Sequence, residues 1–146
     1  EEDKQGTPFI GPSGQMLRDL ASEACIIDPF YTNIIKCRTP HNRDPKPSEI
    51  SSCLHYLDEQ IEIIQPKVIV PVGRYAMAQF LPDESIMKVR GTPRIVLGRI
   101  ILPIIHTAAA LRRPELRPLI AADLRLVPRL LETPIQPNTS SKLTIL

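Results

Sequence analysis

Tyr31-Thr32-Asn33-Ile34-Ile35-Lys36-Cys37-Arg38 is the stretch whose reading decides the fold of this chain. Residues 31–35 are a short apolar run interrupted by one amide, which predicts a buried strand with Asn33 at its C-terminal end. Open α/β sheets place their ligands at that edge, so Asn33 is a candidate ligand reader. The residues that follow, with Cys37, Pro40, Asn42, Arg43, Pro45 and Pro47, show no apolar periodicity and predict a loop. Ser48 then starts a helix whose apolar face carries Cys53, so two thiols meet across one loop.

Outward from that stretch, strands alternate with helices. Upstream, a Gly-rich turn at Gly11 to Gly14 precedes Met16, Leu17, Leu20, Ala21 and Ala24 at helical spacing, a first helix with one face for the sheet. Downstream, Ile50, Cys53, Leu54, Leu57, Ile61 and Ile64 mark a helix to about residue 65. Residues 67–72 form a continuous apolar strand ending at Gly73, and a helix is expected over 75–81. A further buried strand is expected over 99–105, a loop over 106–113 and a terminal helix over 116–131. This alternation predicts a three-layer α/β/α fold with a short parallel sheet, formed by residues 1–132. Residues 133–146 are dominated by Pro, Asn, Thr and Ser and read as a flexible tail.

A chain of 146 residues, 42% apolar and 23% charged, suits one globular domain with a real core. It has no apolar signal segment and no apolar run long enough to cross a bilayer, and it reads as a cytoplasmic monomer or a fragment of one. Three cysteines without an export signal argue against a disulfide framework; Cys25 is expected in the core. The net charge of +2 hides an asymmetry: residues 1–87 carry eight Lys/Arg against thirteen Asp/Glu, whereas residues 88–130 carry nine against two. A basic half of this kind fits either a polyanion partner or a solvated arginine-rich helix.

Asn33-Ile34-Ile35-Lys36-Cys37-Arg38, with the Asn-Arg-x-Pro loop at Asn42 to Pro45 and the later Cys53, resembles the family 4 uracil-DNA glycosylases, the iron–sulfur branch of the uracil glycosylase superfamily. Three other segments agree. Residues 2–14 resemble the family's Gly-x-Pro-Phe-x-Gly-x-x-Gly segment, residues 67–74 its Pro-Lys-Val-Ile-x-x-x-Gly-Arg strand, and residues 106–114 its His-Pro-x-x-Leu-Leu-Arg loop. The resemblance runs from Glu1 to about Leu131. The family also has a first strand ending in Gly-Glu-x-Pro-Gly, and a Cys-x-x-Cys pair before it. Neither is in this sequence, so a fold short of its first strand is expected.

The resemblance implies a role for each candidate. Phe9, in a loop between Pro8 and Gly11 with no period to make it core, would stack on a flipped uracil, where by itself it reads as a local plug. Asn33 carries a donor and an acceptor in one plane, matching the O4 and N3–H edge of uracil and clashing with cytosine. His106, at a strand end, would donate to uracil O2 as charge develops on the leaving base. Thr107 replaces the family's proline and is expected to loosen this loop. Leu111 beside Arg112 and Arg113 suits a wedge with phosphate contacts, or else Leu111 opens the next helix buried. Gly73 would bring backbone N–H groups to a phosphate, and Asn42 and Arg43 would reach the DNA backbone. Glu2 is the acid that aligns near the site and is the candidate to orient water. Cys37 and Cys53 would supply two of the four thiolates of a structural [4Fe–4S] cluster. His41 and His55 read as surface residues.

The function implied is hydrolysis of the N-glycosidic bond of deoxyuridine in uracil-containing DNA. A non-catalytic DNA-binding or iron–sulfur remnant of the same fold is the alternative from another class. An unrelated nucleotide-binding α/β domain would need a Gly-rich phosphate turn after a first strand, which this sequence lacks.

Overall fold

The computed structural model describes residues 8–35, 39–134 and 140–145, the side chains of Asn42 and of residues 140–145 excepted. Helix α1 (Pro12–Glu23) opens on a proline, whose missing N–H is harmless in a first turn, and buries Leu17, Leu20 and Ala21. Strand β1 (Phe30–Tyr31) follows, then a short 3-10 turn at Pro40–Asn42. Helix α2 (Pro47–Ile64) also opens on proline, and the Glu49 carboxylate accepts the Lys46 N–H at 2.8 Å, satisfying a donor of the first turn. It ends at Gln65 in the left-handed conformation, φ 50°, and the chain turns at once into β2 (Pro66–Val70).

Short helices α3 (Arg74–Ala78) and α4 (Ile86–Val89) lead to β3 (Arg94–Val96) and β4 (Arg99–Ile101). Then come α5 (Thr107–Arg112), a 3-10 turn, α6 (Arg117–Leu124) and α7 (Val127–Glu132), and last β5 (Ser140–Ile145).

The five strands form one sheet in the order β1-β5-β2-β4-β3. β2 and β4 run parallel, Val68 opposite Ile100 and Ile69 opposite Ile101. Alternate residues face opposite layers, as the pleat requires. Val68, Val70, Val72, Ile100, Leu102 and Ile104 meet Leu17, Leu20, Ile120 and Leu124 on one side. Ile69 and Ile101 meet Leu57 and Ala76 on the other. The expected α/β/α layering is therefore present, with α1, α5, α6 and α7 on one face and α2 and α3 on the other.

Other expectations are corrected. The sheet is mixed: β3 pairs antiparallel with β4 through a turn at Leu97 and Gly98, both with positive φ, as a two-residue hairpin with right-handed twist demands. The strand expected over 31–35 pairs only at Phe30 and Tyr31. The strand expected over 99–105 is assigned only to Ile101, although Leu102 N–H to Ile69 and Ile104 N–H to Pro71, both carbonyls, prolong the pairing across Pro103. The 106–113 segment is helical, and the single helix expected over 116–131 is broken in two, with Pro118 and Pro128 each opening a piece. Cys25 is exposed, at φ 61° just beyond α1.

Ser140–Ile145, within the segment read as a flexible tail, is a strand between β1 and β2 and parallel to both. Its sequence, Ser-Ser-Lys-Leu-Thr-Ile, lacks the apolar run of a central parallel strand. Backbone pairing with two neighbours substitutes for that signal. Deleting residues 133–146 should expose the inner edges of β1 and β2, lower the thermal midpoint and promote association, read by calorimetry and light scattering. An unchanged midpoint and a dilution-independent size would show that β5 adds nothing to the fold.

Candidate active site

Three strands deliver one residue each to the carboxyl edge of the sheet: Asn33 beyond β1, Gly73 beyond β2 and His106 beyond β4. They line a common cavity of about 530 Å³, together with Phe9, Asp44, Arg74, Tyr75 and Ala108. Phe9, Asn33, Gly73 and His106 are thus brought together as the sequence suggested.

His106 is both the strand end and the N-cap of α5. The Ala108 N–H donates to its Nδ1 at 3.0 Å, which leaves Nε2 as the protonated nitrogen of the neutral ring. Burial holds its pKa below the ordinary 6.5. The ring is therefore a neutral donor at physiological pH, not an imidazolium.

Gly73 makes room for that ring. A Cβ at position 73 would lie 3.0 Å from the His106 Cβ and 3.1 Å from its Cδ2, and φ is +88°. Its own N–H donates to the Ile104 carbonyl at 2.9 Å and is not spare for a phosphate, and α3 is too short to offer a strong dipole.

Phe9 is buried, packs in the core under α1 and still borders the cavity. Its backbone is left-handed, φ 57°, and a Cβ at Gly14 would fall 2.0 Å from its carbonyl carbon, so only glycine fits there. Thr107 does not loosen this corner. Its side chain is fully buried, and its hydroxyl donates to the Ser13 carbonyl at 2.7 Å, tying α5 to the start of α1 with a bond that proline cannot make.

The loop before α2 differs from expectation. Arg43 donates to both carboxylate oxygens of Glu49, at 2.9 Å to Oε2, which fixes the loop on the helix and holds Glu49 at a pKa of about 2. The Arg43 guanidinium thus has a carboxylate partner on α2 and stays partly exposed beside it. The Asn42 side chain lies outside the described residues, as do Glu2 and Cys37.

Sequence reasoning missed Asp44, Arg74 and Tyr75. Arg74 reaches the Asp44 carboxylate and the Tyr75 hydroxyl, each at 3.0 Å, with its guanidinium 4.8 Å from the Tyr75 ring centroid. The signal that could have found Arg74 is its place just past the end of β2, on the ligand edge of the sheet.

Leu111 is exposed on α5, beside exposed Arg112 and Arg113, so it is not the first buried residue of a following helix. Arg113 pairs with Glu115 at 3.1 Å in the open. Among the nine cations of residues 88–130, Arg90, Arg94 and Arg117 are also in ion pairs, with Asp123, Glu84 and Glu23.

Cys53 is a half-buried free thiol on α2. Among the described residues no group of three His, Cys, Asp or Glu could hold a metal ion. A four-thiolate cluster also exceeds the three cysteines of this chain, so the residues present do not make its full ligand set.

A sequence profile of the uracil DNA glycosylase superfamily matches residues 1–125. This chain belongs to that superfamily. The chain is 39% identical over 145 residues to the type-4 uracil-DNA glycosylase of Sulfurisphaera tokodaii, covering 91% of this chain and 66% of that protein. It is 43% identical over 131 residues to the type-4 uracil-DNA glycosylase of Thermotoga maritima, covering 85% and 68%. A DNA polymerase of Bacillus phage SP01 is 34% identical over 127 residues, 85% of this chain and 14% of the polymerase. The chain spans about two thirds of the length of the type-4 relatives it matches. No helix among the described residues is long and apolar enough to cross a membrane.

Two variants test this superfamily site. Gly73→Ala should cost about 1–3 kcal/mol from the positive φ alone, measured by denaturant unfolding, with added loss from the His106 contact. Burial sets the folded pKa of His106 below its unfolded value of 6.5, so in the window between the two the unfolded chain binds a proton that the folded chain does not. Stability from this group is complete above 6.5 and is lost as pH falls through that window. His106→Gln should flatten the pH dependence of unfolding there; an unchanged slope contradicts the burial assigned to the ring.

Proposed function

We propose that this chain is a monofunctional uracil-DNA glycosylase, which hydrolyses the N-glycosidic bond of deoxyuridine in DNA, releasing uracil and leaving an abasic site. The observation that carries this reading is the His106 ring, its Nδ1 occupied by the Ala108 N–H and its Nε2 left to donate in a cavity shared with Asn33 and Phe9. A base must leave the stack to reach such a cavity, and Phe9 offers the flat surface on which an extruded ring rests.

The chemistry follows from charge. As the bond from C1′ to N1 lengthens, negative charge spreads to uracil O2, and a donor already aimed there stabilises it without reorganisation. A neutral imidazole donates through Nε2 without giving its proton away. Asn33 reads the far edge of the base, its carbonyl accepting from N3–H and its amide donating to O4; cytosine presents the opposite pattern. The bonding pair leaves with uracil N1, and water adds to C1′, its oxygen becoming the hydroxyl of the abasic hemiacetal and its proton passing to a carboxylate. Glu2 is the candidate acid for orienting that water, and Asp44 is the carboxylate among the described lining residues.

Outside the cavity, exposed Leu111 is the side chain to fill the gap in the duplex, with Arg112 and Arg113 on the phosphates. The exposed ion pair of Arg113 is weak enough to be exchanged for a phosphate contact. Cys37 and Cys53 enter this reading as two thiolates of a structural [4Fe–4S] cluster, which would brace the loop between them and take no part in bond cleavage.

A uracil-containing oligonucleotide, incubated with the chain and then treated with alkali, provides the test. Strand cleavage should depend on His106, with His106→Ala raising the barrier by about 2–4 kcal/mol and leaving DNA affinity unchanged. Asn33→Asp should also weaken excision strongly. DNA binding without cleavage in the wild-type chain would favour a non-catalytic member of the fold, and full cleavage in both variants would place the chemistry elsewhere.

A further inference from the structure

Phe9 adopts the left-handed backbone, φ 57°, which a residue with a bulky side chain avoids unless its surroundings impose it. One side chain grips this corner from α1. Arg18 donates from Nε to the Phe9 carbonyl and from Nη2 to the Pro8 carbonyl, each at 3.0 Å. The same guanidinium lies 4.2 Å from the centroid of the Tyr31 ring, and that ring stands 6.0 Å from the Phe9 ring, tilted by 51°. Arginine thus links the backbone of the Phe9 loop to the strand that leads to Asn33.

We infer that Arg18 is a positioning residue, a clamp that sets the Phe9 ring on the cavity wall before a base arrives. The inference rests on the proposed role of Phe9 as the stacking surface and extends it. Two successive carbonyls, pointing at one planar fork, fix the peptides on either side of Phe9 in a single orientation. Stacking of the fork on Tyr31 prevents it from swinging away. The side chain is partly buried on α1, and the residues lining the cavity do not include it, so its effect on a bound base passes through Phe9. Lysine, a point charge without a second donor in the same plane, would hold one carbonyl at most in that geometry and would stack less well.

The experiment is a double-mutant cycle on the full chain, with Arg18→Gln, Phe9→Ala and the pair together, read as affinity for free uracil by calorimetry and as rate of uracil excision. Loss of one base–aromatic stack corresponds to roughly 5- to 150-fold in affinity, and Phe9→Ala should fall in that range. Arg18→Gln should lose a comparable share while keeping its fold by circular dichroism, Arg18→Lys should be intermediate, and adding Arg18→Gln to Phe9→Ala should cost nothing further. If Arg18→Gln does not fold, Arg18→Lys carries the same cycle. Equal losses in both backgrounds would assign Arg18 a general structural role, and wild-type affinity in a folded Arg18 variant would remove any role; either result overturns the clamp. Failure of the wild-type chain to bind uracil, or wild-type behaviour in Phe9→Ala, overturns the stacking reading itself and the clamp with it.

Discussion

The pairing of β2 with β4 is the constraint on which the site depends. Parallel register places Val68 opposite Ile100 and Ile69 opposite Ile101, and the pairing continues past both strands through the Val72–Ile104 bridge and the Gly73 N–H on the Ile104 carbonyl. Two residues beyond that carbonyl stands His106, packed against a glycine that has no side chain to push it away. Because both strands point the same way, their ends open on one edge, and helix α5 can begin where β4 stops. The tautomer of the histidine is then set by the second amide of that helix. Sheet register, glycine and helix start combine to place the ring and to decide which of its nitrogens carries the proton.

Legibility in the sequence followed the range of the interaction. Gly73 and His106 were readable because each ends an apolar run, which carries its own direction and its own end, and Asn33 because it is the one amide set within such a run. Phe9 was readable only through its motif; burial by α1 and the conflict between a Cβ at Gly14 and the Phe9 backbone are contacts that composition does not announce. The Arg43–Glu49 pair was not readable because its partners lie six residues apart across a proline corner, a separation with no helical or strand periodicity to reveal it. Thr107 looked like the loss of a rigid proline, whereas its hydroxyl bonds to a residue ninety-four positions earlier. β5 was hidden for the opposite reason: its order comes from neighbours on both sides, not from its own polar sequence.

Charge tells a similar story. The basic half of the sequence fits a polyanion partner, but part of that charge is already spent inside the fold. The Arg90–Asp123 pair is largely buried and docks α6 onto the segment before β3. Burial raises the Asp123 pKa and the arginine opposes that rise. The exposed pairs of Arg94, Arg113 and Arg117 contribute little to stability and can be rearranged by a passing phosphate. Arg112 and Arg113 stand exposed at the far end of the helix whose start lines the cavity.

In the proposed reaction His106 enters as a neutral ring with its proton on Nε2. Nitrogen-15 NMR of the histidine side chains, assigned through the loss of one spin system in His106→Gln, measures this directly at neutral pH. The expected result is the resonance of an unprotonated nitrogen at Nδ1 and of a protonated one at Nε2. A ring protonated at Nδ1, alone or together with Nε2, would contradict it.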